Sequence, residues 1–377
     1  MRRAPREQAV FGRYRLLEQL AQGGMAQVWL ARPQADGAGA RDVVVKTLHP
    51  RLLGQPLFAA LFAAEARITR LLSHPSIVRV VDQGAVKGMP FLAMERVDGW
   101  DLATVYRSLP AGCKLPVEVA LAIGLEMCRA VGHAHGWRDP KGVHRPIVHG
   151  DLSPSNLMVR RDGGVTLIDF GVAHMDARVA RGRGHLIIGK SGYLAPELLD
   201  DAVADARSDV FSAGVMLHEL LVGRHLFVVE SERETLRRVS EGTVAPPSRS
   251  NPDVTPALDA IVLRALDRNP ARRFASAKEL TEALERLPAP ERALRDEVAA
   301  FVAPYCANAR ARRSDEPTTS PIAPAVPAML ARVPALPMQA AWHESTGTIN
   351  ERPRRRDVGA ELAARARRPR RSRFVRG

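Results

Sequence analysis

The hydrophobic pattern changes its period once along the 377 residues, near residue 100, and this switch restricts the possible folds more than any single motif. Before it come short β-type runs between Val10 and Met94: YRLLEQL, AQVWLA, VVVKTL, IVRVV and PFLAM. One helical segment, Leu57 to Leu72, sits among them, so a small sheet with one helix packed on it is expected. From about Leu102 to Leu287 apolar residues recur at three and four, most clearly in VEVALAIGLEMCRAVGHAH and DVFSAGVMLHELL. A small β-rich lobe followed by a large helical lobe makes an α+β class the expectation.

A third region begins near residue 308. SDEPTTSPIAPAVPAML is rich in Pro, Ser and Thr, and RRPRRSRFVRG is nearly all basic. Such a segment cannot bury enough apolar surface to offset its ordering entropy, so 308–377 is expected to be a disordered Pro/Arg-rich tail, preceded by a helical extension over 291–307. From Ala309 onward 15 Arg face 6 acidic residues, a net +9 of the chain's +14, so the basicity belongs to the tail. The cluster from Arg365 to Arg376 makes an acidic protein, an anionic membrane or a nucleic acid its candidate partner; a solvated tail is the alternative. The longest purely apolar run, Leu57 to Ala64, is too short for a bilayer, and no signal-type stretch follows the basic N-terminus. The expectation is a soluble, cytoplasmic chain without a transmembrane segment. Cys113, Cys128 and Cys306 form neither a disulfide framework nor a metal-binding spacing. With six Lys against 49 Arg, each lysine is informative.

The chemistry concentrates in two neighbouring stretches, HGDLSPSN (His149–Asn156) and VTLIDFG, which contains Asp169. RRDGGVTLI between them reads as a hairpin, which would bring Asn156 and Asp169 together. Lys46 ends a Val-rich strand, where a surface lysine would be out of place, and Glu65 lies on the following helix.

Together with Ala195-Pro196-Glu197, these motifs resemble a bacterial Hanks-type (eukaryotic-like) serine/threonine protein kinase over about Phe11 to Leu287. HGWRDPKGVHRP and the S-P-S-N wording resemble a proteobacterial, especially myxobacterial, subgroup. The resemblance implies a bilobal kinase fold over 11–290, with an N-lobe of about 11–95 and a C-lobe of about 98–290. It implies ATP and Mg2+ as cofactors, and proteins bearing Ser or Thr as substrates. Asp151 would accept the substrate hydroxyl proton, and Asn156 and Asp169 would hold the metal. Lys46, oriented by Glu65, would hold the α- and β-phosphates. Ala21, Gly23, Gly24 and Val28 would belong to the loop over the phosphates. Val28, Val44 and Met158 would sandwich the adenine, with Met94 behind it. The backbones of Glu95 and Val97 would bond its edge, and Asp101 would face the ribose. Glu197, Arg273 and Asp209 would be structural: an ion pair and a brace for the catalytic loop.

Several positions depart from the family pattern. Ala21 and Ala26 replace two loop glycines, Gly150 replaces the arginine of H-R-D, and Ser153 replaces a lysine. Lys190, in GKSGYLAPE, stands where a threonine is usual. The expectation is an exchange: Lys190 reaches back to Asp151 and the γ-phosphate, while Ser153 supplies a hydroxyl. Between Asp169 and Lys190 there is no Ser, Thr or Tyr, and the arginine that would pair with a phosphate there is missing too. Control by activation-loop phosphorylation is therefore not expected, and Thr318, Thr319, Ser320, Ser345, Thr346 and Thr348 in the tail become the candidate phosphosites. Three readings remain: a working kinase, a nucleotide-binding pseudokinase acting as a scaffold, or a chain whose basic tail is the working part and tethers it to acidic partners.

Overall fold

The computed structural model describes residues 9–34, 41–110, 112–170, 190–200, 202–287 and 295–307. Six strands, β1 (Val10–Phe11), β2 (Tyr14–Gln22), β3 (Ala26–Pro33), β4 (Val43–Leu48), β5 (Val80–Val86) and β6 (Met89–Glu95), form one antiparallel sheet ordered β1-β2-β3-β4-β6-β5. Helix α1 (Pro56–Leu71) packs on it. The run VVVKTL is apolar on both faces because both are covered. Val43 and Val45 meet Tyr14, Phe91 and Ala93 on one side. Val44 and Leu48 join Phe62 and Ala66 of α1 on the other.

The strand expected at IVRVV starts later, at Val80. Ile77 instead forms a parallel bridge with Leu167 of the second lobe, and the Val78 amide donates to the Leu167 carbonyl at 3.0 Å. These two apolar residues hold the lobes together rather than extending the sheet.

The second lobe holds a small sheet of β7 (Gly99–Asp101), β8 (Leu157–Arg160) and β9 (Val165–Leu167), and helices α2 (Leu102–Ser108), α3 (Val117–His135), α4 (Ala206–Val222), α5 (Glu232–Glu241), α6 (Pro256–Ala265), α7 (Ala277–Glu285) and α8 (Arg295–Cys306). Helix α4 is its axis: every residue from Ser208 to Val222 is buried. Its start is set by a capping box between Asp205 and Ser208 and its end by Gly223 in the left-handed region. One apolar core joins α2, α3, α4, α6, α7 and α8 with β8 and β9.

Helix α8 lies in the stretch expected to be a helical extension. The tail from 308 and the segment 171–189, on which the activation-loop expectation rests, lie outside the described residues. Among the described residues no helix is long and apolar enough to cross a membrane.

Candidate active site

The site forms where β4, α1, the loop before β8 and the loop after β9 converge. Lys46 points from β4 to Glu65 on α1, Nζ to Oε1 2.5 Å, and also donates to Asp169 Oδ1 at 3.1 Å. Burial works against the ammonium, but Asp169 and Glu65 outweigh it and hold its pKa above the ordinary lysine value. Lys46 is therefore a fixed cation. Thr69, on the turn after Glu65, donates its hydroxyl to the Glu65 carbonyl at 2.9 Å.

Asp169 has φ +56, a left-handed conformation that few side chains tolerate and in which aspartate is among the enriched residues. The turn swings its carboxylate toward Lys46. The Ile168 amide donates to the Asn156 carbonyl at 2.9 Å, so the two metal-candidate loops are tied directly. Asn156 Nδ2 donates to the Asp151 carbonyl (2.8 Å) and to Asp151 Oδ2 (2.9 Å), which leaves Oδ1 as the atom Asn156 can offer a cation. A carboxylate and an amide oxygen on adjacent, pinned loops fit Mg2+ carried by phosphates.

Lys190 Nζ meets Asp151 Oδ2 at 2.5 Å. Asp151 thus receives a cation from the segment that precedes Ala195-Pro196-Glu197. Ser153 Oγ meets Ser155 Oγ at 3.1 Å, and the residue is buried. Among the described residues, that hydroxyl makes this one neutral local hydrogen bond. Ser153→Ala is accordingly expected to change kcat by less than about threefold in a steady-state assay.

The catalytic loop is braced from below. Asp209, 1 % exposed, accepts from the His149 amide (2.7 Å), the Gly150 amide (2.9 Å) and His135 Nε2 (2.9 Å). His135 Nδ1 accepts from the Ala277 amide, which fixes the proton on Nε2. Gly150 has φ +71, so the residue standing in place of the family's arginine adopts this turn without a Cβ penalty of about 1 kcal/mol. Burial alone would raise the Asp209 pKa; the bond from His135 and the backbone amides outweigh it and hold the carboxyl below the usual range. Its stabilisation is complete above the unfolded value of about 3.9 and is lost as pH falls through the lower folded value. Asp209→Asn is expected to cost about 2–3 kcal/mol at neutral pH, a gap that narrows below about pH 4 in urea titrations.

Glu197 and Arg273 form a two-pronged ion pair at 2.8 and 2.7 Å, and Arg273 also donates to the carbonyls of Asp267, Arg268 and Arg207. The pair anchors the segment that carries Lys190 to the helical lobe.

The nucleotide side is assembled in part. Val28 lies opposite Lys46, and Val44 opposite Met94, in the strand register. Val44, Met94, Val97 and Ile168 share one apolar cluster. Met158, on β8, lies opposite Asp101. The Glu95 amide donates to the Arg79 carbonyl at 2.9 Å. Asp101, expected at the ribose, caps α2: its oxygens accept the Thr104 amide (2.7 Å) and hydroxyl (2.8 Å), and it is 8 % exposed. A free helix start attracts a carboxylate at this position, so a ribose contact would have to share it. Ala21 pairs with Val28 in the β2–β3 hairpin, whose turn is closed by the Gly23 amide on the Ala26 carbonyl. Arg51 donates to the Gly24 carbonyl at 3.0 Å.

Two contributors carry no spacing signal, Arg51 and His135, and a third, the imidazole of His149, opens the HGDLSPSN stretch. The last is buried against Phe170 (centroids 4.8 Å), accepts from the Asp151 amide through Nδ1, and has no partner for Nε2 among the described residues. Burial lowers its pKa and keeps it neutral. Ser191 and Tyr193 are both buried, and Tyr193 donates to Glu219 at 2.7 Å, which removes them as modification sites in the folded chain.

A family profile described as protein kinase domain matches residues 14–284. The tyrosine-protein kinase MasK of Myxococcus xanthus is 34% identical over 278 residues, 73% of this chain and 43% of MasK. The serine/threonine-protein kinase PknB of Mycolicibacterium smegmatis is 36% identical over 284 residues, 73% of this chain and 43% of PknB. Serine/threonine-protein kinase Pkn1 of Myxococcus xanthus is 34% identical over 279 residues, 73% of this chain and 38% of Pkn1. The match thus spans about two fifths of these relatives' length. The crystal structure of the Mycobacterium tuberculosis PknI kinase domain superposes with a TM-score of 0.55 at 26% identity, covering 75% of this chain and 98% of that one.

Proposed function

The chain belongs to the protein kinase family, and from that premise we propose that it transfers the γ-phosphoryl group of ATP to Ser or Thr hydroxyls of proteins in bacterial signalling. The observation that carries the proposal is the joined constellation of Glu65, Lys46 and Asp169 on one side and Asn156, Asp151 and Lys190 on the other. Lys46 would hold the α- and β-phosphates in a direction set by Glu65. Asn156 and Asp169 would hold Mg2+, which would supply positive charge to the phosphate oxygens. Asp151 would orient the substrate hydroxyl and take its proton as the oxygen–phosphorus bond forms. The bond from the γ-phosphorus to the bridging oxygen then breaks and ADP leaves. Lys190 would face the charge that gathers on the transferred group.

Control by activation-loop phosphorylation is absent in this proposal, because 170–190 lacks a hydroxyl to modify and Gly150 cannot pair with a phosphate. Ala21, Ala26, Gly150 and Ser153 favour the second reading, a pseudokinase that binds nucleotide and holds partners. Serine/threonine-kinase relatives favour Ser and Thr as acceptors, whereas the MasK name makes tyrosine the competing outcome. The test is transfer of radiolabel from ATP to the chain itself and to a basic protein, with Mg2+ or with EDTA, followed by acid hydrolysis. Phosphoserine or phosphothreonine formed only with Mg2+ is the expected result. Phosphotyrosine would overturn the acceptor assignment, and no label despite nucleotide binding would establish the pseudokinase.

A further inference from the structure

Helix α8 lies beyond the residues that match the kinase family, yet it is built into the helical lobe. Val298, Val302 and Cys306, four apart, are buried in the main core. Arg295, its first residue, donates to Glu126 Oε1 from Nε (3.1 Å) and Nη2 (2.9 Å). The other oxygen of Glu126 accepts the Val165 amide at 2.9 Å and the Ser76 hydroxyl at 3.4 Å.

One carboxylate on α3 therefore joins three segments. Val165 opens β9, four residues before Asp169. Ser76 follows α1, which carries Glu65. The same two segments are knitted by backbone bonds: the Leu167 amide donates to the Ser76 carbonyl at 2.9 Å, and the Val78 amide to the Leu167 carbonyl at 3.0 Å. The β8–β9 turn is shaped to receive α8. Gly163 has φ +76, and a Cβ there would stand 1.7 Å from the Arg295 carbonyl, so only glycine permits the approach. The Glu126 side chain is 17% exposed and faces the Arg295 guanidinium; without that cation, the carboxylate is drawn to water and away from Val165 and Ser76.

We propose that α8 is a positioning element for the metal-binding hairpin: through Arg295 and Glu126 it holds β9 against the segment after α1 and so sets Asp169 relative to Lys46 and Glu65. Neither residue touches substrate. The proposal rests on the kinase reading only for its catalytic readout. It gives the site a brace from behind in a chain whose 171–189 segment contains no hydroxyl for phosphate-dependent ordering.

The experiment uses the full chain with Arg295→Ala, Arg295→Lys, and Val298→Asp to lift the helix. Three readouts are taken: amide hydrogen exchange over residues 157–168, ADP affinity with and without Mg2+, and kcat. Arg295→Ala is expected to raise exchange over the hairpin and to lower kcat by about tenfold, as for a slightly misplaced catalytic group. It should shrink the gain in ADP affinity that Mg2+ provides and leave Mg2+-free affinity unchanged. Arg295→Lys should recover most of the protection, and Val298→Asp should exceed Arg295→Ala. A lowered melting temperature with unchanged hairpin exchange and an unchanged Mg2+ gain would overturn the proposal, leaving α8 as packing only. If the wild type transfers no phosphate while exchange and the Mg2+ gain respond as stated, the kinase reading fails and the positioning role of α8 stands.

Discussion

Replacing Asp151 by Asn is expected to slow phosphoryl transfer by about 10²–10⁴-fold, the range lost with a general base, while nucleotide affinity stays within about twofold. The geometry makes the substitution a clean one. The contacts that hold Asp151 include its amide on His149, its carbonyl accepting from Asn156, and its Oδ2 facing both Asn156 and Lys190. An asparagine has the same shape and can turn its carbonyl oxygen to those two donors, so the loop should keep its path. What it lacks is the negative charge and the ability to take a proton. Transfer assays beside calorimetric titration of ADP separate the two outcomes. A variant that retains wild-type kcat would remove Asp151 from the chemistry. A variant that also stops binding nucleotide would show that the loop had collapsed, and Asp151→Glu would then have to be compared.

Lys190→Ala carries the second largest expected loss, about 10²–10³-fold in kcat or roughly 3–4 kcal/mol, typical of one lost donor to a transition-state charge. The motivation is the 2.5 Å contact of Nζ with Asp151 in a chain where position 153 is serine. The lysine side chain is 29% exposed, which leaves it room to turn toward a transferred phosphate. A compensating pair sharpens the test. Lys190→Thr alone should behave like Lys190→Ala, and adding Ser153→Lys should recover activity by returning the cation to its usual position. Unchanged kcat in Lys190→Ala would sink the exchange. An increase would mean that the ion pair restrains Asp151 by neutralising it, a different role for the same contact.

Much of the fold was legible because periodicity is a local property. The recurrence of apolar residues in VEVALAIGLEMCRAVGHAH corresponds to α3, Val117–His135, because that helix packs a continuous face against α4 and α7. The α4 sequence was readable as a helix from the recurrence of apolar residues in DVFSAGVMLHELL, but its position at the axis was not, since burial of its other face is decided by the elements packed around it. At IVRVV the local pattern misled: β-branched residues were read as one strand, and a cross-lobe bridge claimed the first two. That partner lies 90 residues away, outside any local window.

The same division runs through the site. By itself the sequence determined which groups were available: a strand lysine, a helix glutamate, an Asp and an Asn beside a hairpin, and a lysine in place of a threonine. Those are consequences of residue type and spacing. Tertiary structure decided what each group meets. It turned Ser153 to Ser155, set Asp101 at the start of α2, set Lys190 on Asp151, and placed His135 beneath the catalytic loop. It also seated α8 behind the hairpin through one shared carboxylate. Hydrogen bonds and ion pairs act over about 3 Å, and the chain brings such partners together only after the core has packed.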